Sequence, residues 1–280
     1  MTEIQRAIQR SAVPFAVSTL WPAGQKGAHA LFGRTVQRLL PPSKLKVLLL
    51  GIYRHKNAAI VATHLDEIKS QGWEVKLWAL DTIHPDLEAY SVGAGKGLRM
   101  PLLNRLMKGE NLASFDWVVV MDDDFVFVRG SLSSFLAIAG HAGLALAQPA
   151  HSVKSQRAFW FFTLYNPVAV ARLTTFVEIG PIVAIHQDWA ERILPFPEAS
   201  GMGWGLDIQW SDLRRAGARL GIVDWVTLRH MQAVGRGYDN SGEDERASRL
   251  LLDRGFRSLR DLQKTQAVWR PWQRHAPWVR

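Results

Sequence analysis

The chain has 280 residues, 48% of them hydrophobic, enough for a substantial core in one large domain or one domain with extensions. Lys and Arg number 34 against 25 Asp and Glu, a formal net charge of +9, and such a balance favours anionic partners: phosphorylated small molecules, nucleic acid or an anionic membrane. With no cysteine in the chain, a disulfide scaffold, a thiolate metal site and a cysteine nucleophile are excluded.

Residues 1–43 read as a basic extension. Glu3 is the only acid before Asp66, and Pro41-Pro42 break the chain ahead of the first clear strand. Arg6 and Arg10 precede Ser11 to Gly24 as in a signal peptide, but Pro14, Pro22, Ser18 and Thr19 make a poor apolar centre. No apolar run approaches the ~18 residues of a spanning helix, so the expected location is the cytoplasm.

Lys44 to Ile52 is the first strand. Asn57 to Gln71 follows as a helix, with Ile60, Val61, His64, Leu65 and Ile68 on its apolar stripe, and Gly72 ends it. Trp73 to Leu80 alternates as a second strand, with Asp81 at its end. Gly93-Ala-Gly95-Lys96-Gly97-Leu-Arg99 then opens a second helix, Leu98 to Lys108. A glycine-rich turn with Lys and Arg at a helix N-terminus suits a phosphate; a surface loop is the plain alternative. Trp117 to Met121 is a short, β-branched, fully buried strand. This β-α-β-α-β succession predicts a parallel, doubly wound start.

That third strand ends in Asp122-Asp123-Asp124. Three carboxylates at the end of a buried strand repel one another and lose hydration unless a cation is near. Carboxylates are the ligands Mg²⁺ and Mn²⁺ prefer, and the carboxyl ends of strands are where open α/β sheets bind ligands. A solvated acidic turn is the alternative. Beyond it, Leu132 to Ala139 reads as a helix and Leu144 to Gln148 as a short strand. Phe176 to Ile185 reads as a strand bulged at Pro181, Asp207 to Ala216 as a helix ended by Gly217, and Leu220 to Thr227 as a late strand leading to His230. Glu178 lies among apolar residues and needs a partner there. Residues 241–280 read as a helix and a tail, and from Trp269 to Arg280 the tail carries Trp269, Trp272, Trp278, Arg270, Arg274 and Arg280 and no acid.

Asp122-Asp123-Asp124, then Phe176-Val-Glu-Ile-Gly-Pro-Ile-Val, Gly203-Trp-Gly-Leu-Asp207, Gly221-Ile-Val-Asp224 and His230, in that order, resemble the GT-A fold glycosyltransferases. The nearest likeness is to a poorly characterised GT-A-like family known mainly from plants. The resemblance covers roughly residues 45–240, within a catalytic domain placed at 44–240. It implies an α/β fold of GT-A type: a Rossmann-like nucleotide-binding half, a mixed central sheet and an acceptor-binding half.

The resemblance also implies a metal-dependent, inverting transfer from a nucleotide-sugar donor to a carbohydrate or lipid-linked acceptor. Asp124 and His230 would be the metal ligands, with Asp122 on the metal, its bound water or the ribose, and Asp123 beside the donor. The ion would be Mn²⁺ or Mg²⁺, the imidazole favouring Mn²⁺. Lys96 and Arg99 would meet the nucleotide, and Asp81 its base or ribose. Asp207 would be the general base, although an N-cap explains it equally simply. Trp204 and Gly205 would touch the acceptor; Glu178 would bind it or be salt-bridged structure. The family often has two acids where this chain has Leu206-Asp207, which leaves the choice of base open.

Two other readings compete. Asp122-Asp-Asp124-Phe-Val126 also matches the D-x-D-x-[TV] of haloacid dehalogenase-type phosphatases, but that motif usually opens its domain and here two βα units come first. A non-catalytic basic module would fit the charge, but no nucleic-acid motif is present, and no nucleic-acid partner is expected. The basic ends suggest peripheral contact with an anionic membrane.

Overall fold

The apolar runs around Leu49 and Val119 become adjacent parallel strands at the centre of a ten-stranded mixed sheet. The computed structural model describes residues 15–39, 44–156, 162–232 and 242–279. Glu3, Arg6, Arg10, Pro41-Pro42 and Arg280 lie outside the described residues.

In chain order the elements are α1 (Phe15–Leu39), β1 (Val47–Tyr53), α2 (Ala58–Gln71), β2 (Glu74–Ala79), β3 (Ser91–Ala94), α3 (Arg99–Met107), β4 (Trp117–Met121), β5 (Phe125–Arg129), α4 (Leu132–His141), β6 (Leu146–His151), β7 (Ala171–Thr174), β8 (Ile182–His186), α5 (Gln187–Ile193), α6 (Leu206–Leu213), β9 (Leu220–His230), α7 (Glu243–Asp253), α8 (Leu259–Leu262) and β10 (Thr265–Trp269). The strand order is β10-β7-β9-β6-β8-β4-β1-β2-β3, with β5 paired to β9. β1, β2, β3 and β4 are mutually parallel, β8 runs antiparallel to β4 and β6, and β9 runs parallel to β6.

Alternation along the central strands sorts side chains onto two faces. Leu49 and Val119 face one core with Val61, Leu65 and Ile68 of α2 and Phe135 of α4. Leu48, Leu50, Val118 and Val120 face the other, with Leu103 of α3 and Trp210 of α6. The sheet is therefore covered on both faces, as parallel strands require. Gly72 ends α2 in the left-handed conformation at φ 68°, as its position predicts.

Three expectations need correction. Phe176 to Ile185 is not one strand: only Ile182–His186 is, and the chain before it is irregular up to a cis Gly180–Pro181 peptide. The Trp117 strand is the fourth, because the short β3 pairs with β2. His230 does not follow the late strand but is its last residue.

The two ends of the chain pack on the sheet. Trp21 Nε1 donates to the Tyr165 carbonyl at 2.7 Å, and His29 stacks on Trp225 with ring centroids 3.5 Å apart. Trp269 is buried in β10, and Trp278 Nε1 donates to the Ala142 carbonyl at 2.7 Å. Trp272 alone of the three tail tryptophans is exposed, at 60%. Among the described residues, no helix is long and apolar enough to cross a membrane.

Candidate active site

The ends of parallel strands β1, β2 and β4 converge on one edge of the sheet, and the acidic triplet sits there. Its three carboxylates have different surroundings. Asp123 is buried and accepts the Arg54 backbone N–H at 2.7 Å, with the Arg54 guanidinium 3.6 Å away. Burial pushes its carboxyl up, Arg54 pulls it down, and neighbouring Asp124 adds to the rise. Asp122 is half-buried, and Arg99 Nε donates to its Oδ1 at 2.8 Å. Its carboxyl is raised by burial and by Asp124, against the pull of Arg99. Its backbone N–H donates to the Pro181 carbonyl at 2.8 Å, so the irregular 175–181 segment holds the strand end from the other side.

Asp124 is buried, and its Oδ1 lies 3.2 Å from His230 Nε2. The pairing is fixed by the sheet: Phe125 opens β5 directly opposite His230, and the Met231 N–H donates to the Asp124 carbonyl at 2.8 Å. Burial works against the charged imidazole of His230. The bond and charge of Asp124, with the charges of Asp122 and Glu178, outweigh it and raise its pKa.

Behind His230 lies a buried polar group that sequence reasoning caught only in Glu178. His151 is fully buried at the end of β6; its Nε2 stands 3.6 Å from Glu178 Oε2 and its ring centroid 6.4 Å from that of His230. Ser155 Oγ meets His151 Nδ1 at 2.7 Å and accepts the His230 backbone N–H at 2.8 Å. Gln148, also buried, accepts the Glu178 N–H. The signal for His151 was its place at a strand's carboxyl end, hidden because Pro149 makes that strand read as ending at Gln148. Asp224, quoted in the motif order, is structural: buried, it takes Arg172 Nε at 2.9 Å and the Asn166 N–H at 2.6 Å.

Asp207 lies at the start of α6, buried, with its Oδ1 accepting the Ile208 N–H at 2.9 Å. Burial pushes its carboxyl up to about 7, against the bonds from Ile208, its own N–H and Gly205. The turn before it is tied on two sides. The Gly201 carbonyl accepts from Met100 N at 2.8 Å, and the Met202 N–H donates to Glu243 Oε1 at 2.8 Å. Gly203 adopts φ 104°, a conformation that favours glycine, and a Cβ there would press on the movable Met100 Cε at 2.9 Å. Trp204 lines a cleft of about 460 Å³ beside α7 with Gln209, Arg246 and Leu250, and Gly205 packs near Ala247.

Asp81 is exposed at the end of β2, its Oδ1 accepting N–H groups of His55 and Thr82 at 2.8 and 2.9 Å. Burial would raise its carboxyl; those two bonds and His55 hold it below the usual range. Lys96 is exposed on the turn between β3 and α3, whereas Arg99 is buried and turned inward onto Asp122. Asp81, Asp122 and Arg99 thus share one strand-end region, and Arg54 and His55 join them there.

Among the described residues, no three His, Cys, Asp or Glu side chains form a cluster able to hold a metal by themselves. Asp124 and His230 nevertheless fit a divalent cation that completes its shell from a substrate. They pair a carboxylate with an imidazole at 3.2 Å, and Mg²⁺-type sites commonly use one or two carboxylates plus phosphate oxygens.

No protein-family model matches the chain, and no curated protein matches it in sequence. Solved structures do. The structure of GalNAc-T7 with UDP, GalNAc and Mn²⁺ matches 74% of this chain and 48% of its own, at 8% identity and a TM-score of 0.54. The fold is of GT-A type. The chain thus matches about half the length of that neighbour. TarS 1–349 of S. aureus in complex with UDP-GlcNAc matches 70% of this chain and 62% of its own, at 10% identity and a TM-score of 0.46. At these identities the GT-A likeness is one of architecture, and the chemistry rests on the side chains described above.

Proposed function

We propose that this protein is a glycosyltransferase moving a sugar from a nucleotide-sugar donor to an acceptor hydroxyl with inversion. One observation carries the reading: in a GT-A fold, the aspartates ending β4 lie beside a histidine ending β9, with Asp124 and His230 3.2 Å apart. The order of the motifs supports placing the chain in the GT-A-like family known mainly from plants.

Asp124 and His230 would hold Mn²⁺ or Mg²⁺ with the donor diphosphate. When bound, the ion supplies positive charge where the departing nucleoside diphosphate becomes more negative. The remaining work belongs to the chain. Asp122, oriented by Arg99, would contact the ribose or lie beside the ion, and Asp123 braces that strand end through Arg54. Asp81 contacts the base or ribose from the end of β2, and Lys96 the phosphates. Asp207 takes the proton of the acceptor hydroxyl as that oxygen bonds to the anomeric carbon and the bond to the diphosphate breaks. A carboxyl near 7 suits general-base work at neutral pH. Trp204 and Gly205 contact the acceptor, a carbohydrate or lipid-linked glycan, and Glu178 binds one of its hydroxyls from beside His151.

A phosphatase reading fares worse. It rests on D-x-D-x-[TV] alone, a motif that usually opens its domain, whereas here β1, α2, β2, β3 and α3 all precede β4. The test is release of nucleoside diphosphate from a panel of nucleotide sugars with Mn²⁺, beside aryl-phosphate hydrolysis as a control. Release only from nucleotide sugars supports the proposal; aryl-phosphate turnover without it refutes the proposal.

A further inference from the structure

Helix α1, the 166–168 loop and the C-terminal tail, far apart in sequence, meet on one surface. A Cβ at Gly24 of α1 would lie 3.3 Å from Pro167, so helix and loop are in close contact. Arg270 Nη1 donates to the Val168 carbonyl at 3.3 Å, and its guanidinium lies 5.9 Å from the Trp272 ring. Trp272 in turn meets Phe32 of α1, with ring centroids 5.9 Å apart. Large apolar side chains remain uncovered here: Leu31 at 77% exposure, Trp272 at 60% and Val168 at 41%.

The charge of this surface has one sign. Residues 15–39, 162–172 and 265–280 contain no Asp or Glu; Arg34, one turn from Leu31 on α1, and Arg274 are exposed, and Arg270 is half-exposed. The acid beneath, Asp224, is buried against Arg172. Protruding Leu and Trp amid uniformly basic residues match a bilayer interface, where Trp prefers the headgroup level and Lys and Arg are drawn to anionic lipid. A nucleic acid would use the charge but not the aliphatic side chains.

We infer that this joint surface of α1, the 166–168 loop and the tail docks the protein on an anionic membrane. Trp272 and Leu31 enter the interfacial layer, and Arg34, Arg270 and Arg274 lie over the headgroups. The inference is independent of the catalytic reading, because no residue of the candidate active site takes part.

The test is co-sedimentation of the full chain with vesicles of phosphatidylglycerol and phosphatidylcholine, or of phosphatidylcholine alone. The expected result is binding only to the anionic vesicles, weakened by salt. Arg34→Gln and Arg274→Gln should each lower the partition about fivefold. Trp272→Ala with Leu31→Ser should lower it further, with unchanged circular dichroism because both side chains are exposed. Asp124→Asn should bind vesicles as the parent does, separating this surface from the site. Equal sedimentation with and without anionic lipid overturns the inference. So does undiminished binding by the Trp272/Leu31 variant, or binding of an oligonucleotide but not of vesicles.

Discussion

His230 Nε2 and Asp124 Oδ1 lie 3.2 Å apart because β5 turns back immediately after the acidic triplet and pairs with the last residues of β9. Asp124 follows the parallel strand β4 and His230 ends β9 in the mixed part of the sheet, so the candidate ligands come from its two parts. Each is a strand-end residue held by backbone bonds, which gives the pair a fixed spacing before any ligand arrives.

If Asp207 deprotonates the acceptor, Asp207→Asn keeps donor affinity and loses about 10²-fold or more in turnover. The parent's rate rises with pH through about 7, where burial has moved this carboxyl, and the variant lacks that limb. Steady-state kinetics across pH read both effects. Near-parent turnover would move the role to another residue.

The same carboxyl makes a stability prediction of defined sign. A carboxyl that titrates near 7 when folded but near 4 when unfolded holds its proton longer in the native state. Its contribution to stability therefore falls as pH rises from about 4 to about 7 and changes little above that. Urea melts across this range should show a smaller fall for Asp207→Asn than for the parent.

Asp224→Ala leaves Arg172 buried without its carboxylate. The expected cost is about 3–5 kcal/mol, and the 162–166 segment loosens, because Arg172 also donates to the Phe162 and Leu164 carbonyls. Chemical denaturation and hydrogen exchange in that segment measure it.

Gly203→Ala strains a residue at φ 104° and presses a methyl group onto Met100. The expected destabilisation is about 1–3 kcal/mol. Since α3 carries Arg99, weaker donor binding accompanies it. Thermal melts and donor titration check the two effects together.

Much of this was legible from residues alone. Trp117–Met121 was read with its observed bounds, because a β-branched run between polar residues has one economical fate, and Gly72 and Gly217 marked real helix ends. The GT-A architecture was implied by a family resemblance carried by the motifs. What escaped had weak local signals. β3, β5, β7 and β10 are strands of four or five residues whose pairing, not periodicity, defines them. Phe176 to Ile185 looked like a strand because its residues are apolar, yet only Ile182–His186 joins the ladder. His151 and Ser155 could not be linked to His230 from sequence, because that contact depends on β6 and β9 lying side by side. The Trp/Arg composition of the tail pointed to membrane contact and did not show that Trp269 is buried in the sheet.

The central claim is that Asp124 and His230 bind a donor diphosphate through a divalent ion. Calorimetric titration of UDP, GDP, CDP and ADP into the parent and Asp124→Asn, each with and without Mn²⁺, tests it most directly. The expected result is that at least one nucleotide binds the parent only with Mn²⁺, and that Asp124→Asn loses this binding at an unchanged melting temperature. Nucleotide binding that is the same without Mn²⁺, or that persists in Asp124→Asn, would contradict it.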